Sequence, residues 1–345
     1  MNYKVQSTEK LRKSCSEMET KALLYLMNFR DDSDEIYYFV VDFFNDLTGA
    51  NNRATKLWDV QSKGATSNSP RQVGEALVTL YKNYVEEFTF EYYILFIGGV
   101  SSTVRKNSAI DIFGIENISD SAKPHLIDGL KSECKEKSYI DDNLVTNERI
   151  HSFLQNITFV VDNKTPSAYV KQILKDCPKL NPSESRLQSI FNEIRDKQSG
   201  KKNDQIIEGL VITEPIEAIN YFRHLTIKEI KMLVLQRVIN SNPLEASTPT
   251  SFIDILSKCP EHTRKDCLES CKQSLCQVMF NNNAQQGFWT LFQNIYFMII
   301  DNPKESVLHI YNRIDKEEKD NCPNFDAISL QYFIAKIKDG VTNDN

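Results

Sequence analysis

The sequence predicts an α+β or α/β fold in which a mixed N-terminal domain with the element order α-β-β-β-α-β precedes an all-helical C-terminal domain. Three observations lead to this prediction. The apolar pattern changes period repeatedly within the first hundred of the 345 residues. A stretch poor in apolar residues, QSGKKNDQ at 198–205, is typical of a linker, and the segments after it have helical spacing. We therefore expect one domain over residues 1–200, with its core at about 10–100, and a second domain over residues 201–345.

The first helix and the three strands after it follow from local patterns. Apolar residues recur at helical spacing from Cys15 to Phe29, and Glu19 falls beside this apolar stripe. The segment EIYYFVVDFF is dense in β-branched and aromatic residues and predicts a buried strand. A turn signal in LTGANNRATK predicts a second strand around its bend, and KLWDVQSK alternates as a third strand.

The second helix has a distinct start signal. In SNSPRQ, Ser69 is the predicted N-cap, Pro70 takes the first helical position, and Gln72 closes a capping box. The fully apolar segment EYYILFIGGV then predicts the strand that completes the order. Farther along, the patterned segments from PIEAINYFRHL to AISLQYFIAKIKD predict helices only.

Charge and apolar patterning argue against nucleic-acid-coating, secreted and membrane-spanning proteins. A formal net charge of −6 argues against a protein that coats nucleic acid, although a local basic groove stays compatible with it. The opening sequence MNYKVQSTEKLRKS lacks a secretion signal, and the apolar run FWTLFQNIYFMII is too short to span a bilayer. We expect a cytoplasmic protein without a membrane partner.

Four cysteines lie close to His262 along the chain: Cys259, Cys267, Cys271 and Cys276. Thiolate and imidazole are preferred zinc ligands, so a zinc site is one interpretation. The spacing contains no C-x2-C pair and puts three of the cysteines on a helix-like stretch. That arrangement favours buried free thiols over a zinc site.

Polar side chains alternate along the third predicted strand. Asp59, Gln61 and Lys63 share one face, and Asp46 stands where the first strand breaks toward the second. A hairpin there would bring Asp46 within reach of Gln61 and Lys63. Phosphodiester hydrolysis needs a hard cation with oxygen ligands beside the phosphate, which Asp46 and Gln61 can supply. Lys63 can activate the attacking water or neutralise charge that develops in the transition state.

This arrangement resembles the PD-(D/E)XK nuclease superfamily, whose restriction-endonuclease-like αβββαβ core carries an acidic residue and then (D/E/Q)-x-K on the third strand. The Q-S-K of NDLTG…WDVQSKG is similar to the Gln variant found in Mrr-like restriction enzymes. It is more similar to the double-stranded-DNA endonuclease domains of bacterial anti-phage systems, such as CBASS effectors and the Lamassu nuclease subunit. The resemblance covers residues 10–100 well and extends loosely to residue 200.

The resemblance implies a metal-dependent DNA endonuclease that acts as the effector subunit of a bacterial anti-phage defence complex. It implies Mg²⁺ or Mn²⁺ as the cofactor, with Asp46 and Gln61 as its ligands. It also implies catalytic roles for Asp46, Gln61 and Lys63, with Asp42 or Glu19 completing the site. The implied partners are double-stranded DNA and other defence subunits, an SMC-like ATPase among them, in a homo-oligomer or a hetero-complex.

A function of another class stays open. Asn45 stands where the family has the first carboxylate of an acidic pair, which is compatible with a non-catalytic helical interaction subunit that carries a degenerate nuclease-like domain. Asp59 also has a structural alternative, in which it pairs with Lys56 or Arg53 across a hairpin. Lys63 likewise fits an exposed charge at a strand end.

Two further positions have alternatives of the same kind. Glu19 also fits the margin of a helix surface. In the C-terminal half, one predicted helix carries five aromatic residues: Phe288, Trp289, Phe292, Tyr296 and Phe297. This density fits either docking against another chain or a helix buried all round in its own domain.

Overall fold

The computed structural model describes residues 3–5, 13–175, 177, 180, 182–202, 207–240, 247–280 and 285–342. The chain divides into two compact units. The sheet unit comprises residues 1–170 and 187–230, and the helical unit comprises residues 171–186 and 231–345. The described residues between 201 and 230 therefore belong to the sheet unit. A nuclease domain over 1–200 and a partner-binding domain over 201–345 stay predictions.

A seven-stranded mixed sheet forms the centre of the sheet unit, so the fold class is mixed α and β. The strands lie in the order β6-β7-β5-β4-β3-β2-β9, and β1 pairs separately with β8. Up to residue 238, the elements are β1 (Tyr3–Lys4), α1 (Lys13–Asn28), β2 (Tyr38–Val41), β3 (Leu47–Ala50), β4 (Leu57–Lys63), α2 (Pro70–Ala76), α3 (Val78–Val85), β5 (Tyr92–Ile97), β6 (Ile112–Phe113), α4 (Ala122–Glu136), α5 (Asn147–Gln155), β7 (Ile157–Val161), α6 (Pro166–Ile173), α7 (Glu184–Lys201), β8 (Val211–Ile212), β9 (His224–Thr226) and α8 (Ile227–Val238).

The predicted α-β-β-β-α-β order is present as α1-β2-β3-β4-α2/α3-β5. β2, β3 and β4 form an antiparallel meander, and β5 pairs parallel with both β4 and β7. The second strand occupies only LTGA, and the turn signal that follows it makes the β3–β4 connection. The helix predicted for PIEAINYFRHL is wrong in its last part: a 3₁₀ helix at Pro215–Tyr221 gives way to β9, which pairs with β2.

The strands of the meander differ in length, and this difference positions the site. β3 pairs with β4 only over Leu57–Val60, whereas β5 pairs with β4 as far as Lys63. The last three residues of β4 therefore extend past β3. The loop of residues 42–46, which joins β2 to β3, lies at this uncovered end.

Helices α2 and α4 cross at two glycines. A methyl group on Gly74 would lie 1.9 Å from the backbone oxygen of Leu126, and one on Gly129 would lie 2.2 Å from that of Arg71. The start of α2 confirms the predicted capping box, because the Ser69 hydroxyl accepts from Gln72 N and the Gln72 side chain accepts from Ser69 N. Local capping and close backbone packing together fix α2 in the sheet unit.

The helical unit is built around α14. Helices α10, α11 and α12 all pack against it. From residue 253 its helices are α9 (Ile253–Ser257), α10 (Arg264–Phe280), α11 (Gln285–Asp301), α12 (Val307–Arg313), α13 (Lys316–Asp320) and α14 (Ala327–Thr342). None of the helices in the described ranges is both long and apolar enough to cross a bilayer.

The aromatic helix of the C-terminal half is α11. Phe288, Trp289 and Phe292 are buried, and the rings of Phe288 and Phe292 contact Phe333 of α14. Tyr296 and Phe297 are half-buried. Three of the five aromatic residues of α11 are therefore buried within the helical unit, as expected for a central helix. Docking of another chain stays a prediction.

The α2–α4 crossing generates the first testable prediction. Gly74→Ala forces two helix backbones apart, so it should lower the free energy of unfolding by roughly 2 kcal/mol or more. Gly200→Ala is the matched control, because a methyl group there meets nothing within 4 Å and alanine has the higher helix propensity. Urea denaturation followed by circular dichroism compares the two variants. A Gly74→Ala protein as stable as Gly200→Ala would contradict the observed close crossing.

Candidate active site

Asp46 caps the uncovered end of β4. Its Oδ2 accepts hydrogen bonds from the Ser62 backbone N–H at 2.9 Å, from Ser62 Oγ at 2.9 Å and from Gln61 Nε2 at 2.7 Å. The loop turns because Asp42 adopts a left-handed conformation with φ of 49° and donates its N–H to Asp46 O. Since Gln61 and Ser62 point to opposite faces of the sheet, the Asp46 carboxylate is held from both faces.

Gln61 is buried and held at both ends of its amide. Its Nε2 donates to Asp46, and its Oε1 accepts from the Thr79 hydroxyl of α3. The sequence predicted that Asp46 and Gln61 would come together, and the structure confirms this contact. Asp46 and Gln61 meet because the loop between β2 and β3 is short and β3 pairs with β4, so the end of the loop lies against β4.

Lys63 ends β4 on the same face as Gln61 and is half-buried. It lines a half-open cavity of about 350 Å³ that is also lined by Asp42, Asp46 and Gln61. Four of the five predicted catalytic residues therefore surround one cavity. Its volume is in the range of small-molecule pockets.

Glu19 lies on α1 and is not among the residues that line this cavity. Its carboxylate is almost fully buried and binds Lys202 Nζ through both oxygens, at 2.8 and 2.7 Å. Burial raises the pKa of Glu19 to about 7; Lys202 opposes this shift, and the carboxylates of Asp46 and Asp42 add to it. Glu19 is thus close enough to Asp46 to sense its charge, while its own oxygens bind Lys202.

Asp42 lies in the loop after β2, whereas the sequence placed it inside an apolar strand. This prediction was wrong because β2 ends at Val41. Arg223 donates to the Asp42 backbone oxygen at 3.1 Å and approaches its carboxylate at 3.4 Å. The Arg223 side chain is buried and directly precedes β9 in the chain. Its charge partly neutralises Asp42, and its hydrogen bonds connect the 42–46 loop to the start of β9.

Asp59 shares a face with Gln61 and Lys63 but does not reach the cavity. It is fully buried and accepts from Asn83 Nδ2 of α3 at 2.7 Å. The alternative pairing with Lys56 or Arg53 is wrong, because Asp59 is enclosed and Lys56 Nζ binds Glu35 at 2.8 Å. Burial raises the pKa of the Asp59 carboxyl to about 7.

A buried polar network extends from Asp59 to the loop of the candidate site. Asn83 Nδ2 and the Tyr3 hydroxyl both donate to the Phe44 backbone oxygen at 3.2 Å. The single Tyr3 hydroxyl proton is shared with Asn83 Oδ1, at 2.8 Å, and the Tyr3 oxygen accepts from Lys82 Nζ at 2.7 Å. This network holds the backbone two residues before Asp46 and therefore acts on its position.

Sequence reasoning missed several residues that hold the site. Lys202 and Arg223 bind Glu19 and Asp42 from positions more than 180 residues away in the chain. Ser62 and Thr79 hold Asp46 and Gln61. Lys202 falls in the stretch that the sequence predicted to be a linker, so its local pattern indicated no contact with the site.

The donor set was tested for its fit to a hard cation. Among the described residues, no three His, Cys, Asp or Glu side chains lie close enough to hold a metal on their own. Asp46 Oδ2 and the Gln61 amide atom are 2.7 Å apart. That is near the ~2.9 Å that separates neighbouring oxygens around an octahedral Mg²⁺.

Rotation of the Gln61 amide by half a turn would place its oxygen beside Asp46. Its nitrogen would then face the Thr79 hydroxyl, which can accept as well as donate. No hydrogen bond to Thr79 is lost in this exchange. Asp46 and Gln61 therefore fit a divalent cation after one side-chain rotation.

The cysteine-rich segment lies elsewhere, in the helical unit. Cys267, Cys271 and Cys276 lie on α10, and Cys259 precedes that helix. Cys271 is buried, and burial raises the pKa of its thiol to about 12. A protonated, buried thiol is a poor zinc ligand, which favours the structural interpretation of this cysteine.

No protein-family model matches the chain, and neither curated proteins nor solved structures gave a match. The geometry of the site and the resemblance of its motif are therefore the features that point to a function.

The buried Asp59 generates a prediction for pH dependence. Its pKa in the folded protein lies above the ordinary value of 3.8, so folded chains keep a proton that unfolded chains release between about pH 4 and 7. Stability should fall as the pH rises through this window. Asp59→Asn, which cannot ionise, should reduce that loss by an amount on the order of a few kcal/mol.

Thermal unfolding at pH 5 and pH 8 measures this difference. Asp196→Asn serves as the control because the Asp196 side chain is exposed, and it should keep the wild-type pH dependence. An Asp59→Asn protein that loses as much stability as wild type between the two pH values would contradict the assignment.

Proposed function

We propose that the protein is a divalent-metal-dependent endonuclease that hydrolyses the phosphodiester bonds of double-stranded DNA. The observation that carries this proposal is the convergence of Asp46, Gln61 and Lys63 on one cavity at the end of β4. The motif resemblance supplies double-stranded DNA as the substrate. The two oxygen ligands and the nearby ammonium supply the chemistry.

Each residue has a distinct task in this proposal. A bound Mg²⁺ or Mn²⁺ supplies Lewis acidity at the phosphate and lowers the pKa of an attacking water. Asp46 and Gln61 would hold the cation, and the two Ser62 donors orient the Asp46 carboxylate. Lys63 neutralises negative charge that develops on the phosphate during attack.

Asp42 and Glu19, the two residues considered for completing the site, differ in their position relative to the cavity. Asp42 lines the cavity and can act there, either on the cation or on a water molecule. Glu19 lies outside the cavity lining and is bound by Lys202. We therefore assign Glu19 an indirect role, in which its charge acts on Asp46 without contact to the substrate.

The resemblance also suggests the biological setting. We propose that the protein is the DNA-cutting subunit of a bacterial anti-phage complex, and that the helical unit binds other subunits or further copies. In the helical unit, Tyr296, Phe297 and Ile300 line a cavity of about 290 Å³ together with Arg186. Half-buried aromatic residues beside an arginine are typical of surfaces that bind protein partners.

One observation favours the non-catalytic alternative. The Asp46 Oδ2 already accepts three hydrogen bonds, and the Gln61 nitrogen faces it. A site satisfied in this way needs no cation for its stability. Metal binding and DNA cleavage distinguish the two functions, because an interaction subunit would do neither.

The metal requirement and the role of Gln61 can be tested together. Plasmid DNA incubated with the protein and its activating partners should be cut in Mg²⁺ or Mn²⁺ and stay intact in EDTA. Gln61→Glu keeps an oxygen ligand and should retain cleavage, whereas Gln61→Ala removes it and should abolish cleavage. Agarose gels measure the product, and circular dichroism checks the fold of each variant. Cleavage that persists in EDTA would exclude this mechanism.

Lys63 provides a second test of the proposed chemistry. Lys63→Ala removes the charge next to the phosphate, so the cleavage rate should fall by about two orders of magnitude or more. Lys137→Ala is the matched control: Lys137 lines the same cavity but binds Glu133 at 2.8 Å. Its loss should change the rate by less than about tenfold. Equal rates for wild type and Lys63→Ala would favour the non-catalytic alternative.

A further inference from the structure

Phe222 is an exposed aromatic residue between the 3₁₀ helix Pro215–Tyr221 and β9. Its exposed fraction is 60%, the largest of any big apolar side chain in the described ranges. Single exposed apolar residues are common on protein surfaces, so exposure alone assigns no role. Backbone conformation and position in the sheet unit are two further, independent observations.

The backbone of Phe222 is in an unfavourable conformation. It ends the 3₁₀ helix Pro215–Tyr221 with φ of 57° and ψ of 11°, in the left-handed region that glycine and asparagine prefer. Holding a bulky residue in this conformation is unfavourable because its Cβ is close to the following carbonyl oxygen. An exposed phenylalanine does not repay that cost through burial, so packing does not explain why this position carries it.

The two chain neighbours of Phe222 contact residues that line the cavity. Tyr221 packs its ring on Phe43 at 5.7 Å, and Arg223 accepts the Val41 N–H at 2.8 Å while donating to Asp42. The β2–β9 pairing ends with Val40 and His224, and Phe222 stands two residues before His224. Asp42 and Phe43 line the cavity and Phe222 does not, so Phe222 follows one residue that contacts the cavity wall and precedes another.

We propose that Phe222 is a substrate-binding residue that stacks on a nucleobase of the DNA beside the phosphate to be cut. The proposal rests on the proposed nuclease function and identifies a contact that positions its substrate. Stacking of one base on an exposed aromatic side chain strengthens binding by roughly tenfold or more, and apolar side chains can enter a base step of duplex DNA. In this proposal the ring contacts the substrate. Glycine or asparagine would adopt the same turn with less strain, so the ring itself is the feature that needs a role.

The test measures binding of a fluorescently labelled DNA duplex to the full-length protein by anisotropy, in Ca²⁺ and in EDTA. Phe222→Ala should weaken binding about tenfold, as should Phe222→Leu, which keeps an apolar surface but cannot stack. Phe222→Tyr and Phe222→Trp should bind as tightly as wild type. Ile112→Ala is the matched control, because Ile112 is 51% exposed on β6 at the opposite edge of the sheet, and it should not change binding.

A second measurement separates this role from a structural one. Phe222→Gly removes both the ring and the conformational strain, so it should weaken DNA binding while the melting temperature stays constant or rises. A Phe222→Gly protein that loses stability as well as DNA binding would make Phe222 a structural residue and overturn the proposal.

The outcomes also distinguish this proposal from the nuclease proposal. If wild type binds and cuts DNA and Phe222→Ala does both equally well, only the role of Phe222 is wrong. If wild type neither binds nor cuts duplex DNA with its cation and partners present, both proposals fail. If Phe222→Ala leaves DNA binding intact but dissociates an oligomer in size-exclusion chromatography, the residue is a protein contact and the stacking role is excluded.

Discussion

The uncovered end of β4 is the constraint on which the candidate site depends. β3 stops pairing at Val60 while β5 continues to Lys63, so the Ser62 N–H has no strand partner on the β3 side. Leaving a buried donor unpaired costs about 1–3 kcal/mol, and the Asp46 carboxylate accepts this one. Because the Ser62 N–H needs an acceptor, the fold places the Asp46 carboxylate beside Gln61, where it lines the cavity.

The position of that carboxylate is then set by the buried network behind the loop. Asn83 and Tyr3 both donate to the Phe44 oxygen, and Asn83 also binds the buried Asp59. Each polar group in this network is enclosed, so its loss would leave a partner unsatisfied rather than exposed to water. The network therefore favours one loop conformation strongly, which is what an active site requires of the residues that position its ligands.

Ion pairs from distant parts of the chain set the charge around the loop. Lys202 and Arg223 bring positive charge to Glu19 and Asp42, and Lys63 adds a third cation at the cavity. Without them the three carboxylates near the loop would repel one another in a partly buried setting. These ion pairs partly neutralise the carboxylates within the protein itself, so the proposed cation would add to a charge balance that the fold already provides.

The sequence by itself determined the features that depend on near neighbours: the element order from α1 to β5, the capping box at Ser69 and the contact of Asp46 with Gln61. These follow from turn chemistry and strand alternation over about twenty residues. Only the tertiary structure decided that β2 ends before Asp42, that Asp59 is enclosed under α3, and that Lys202 binds Glu19 across 183 residues of chain. Periodicity shows which face of an element is buried, but the partner it meets depends on how distant elements pack.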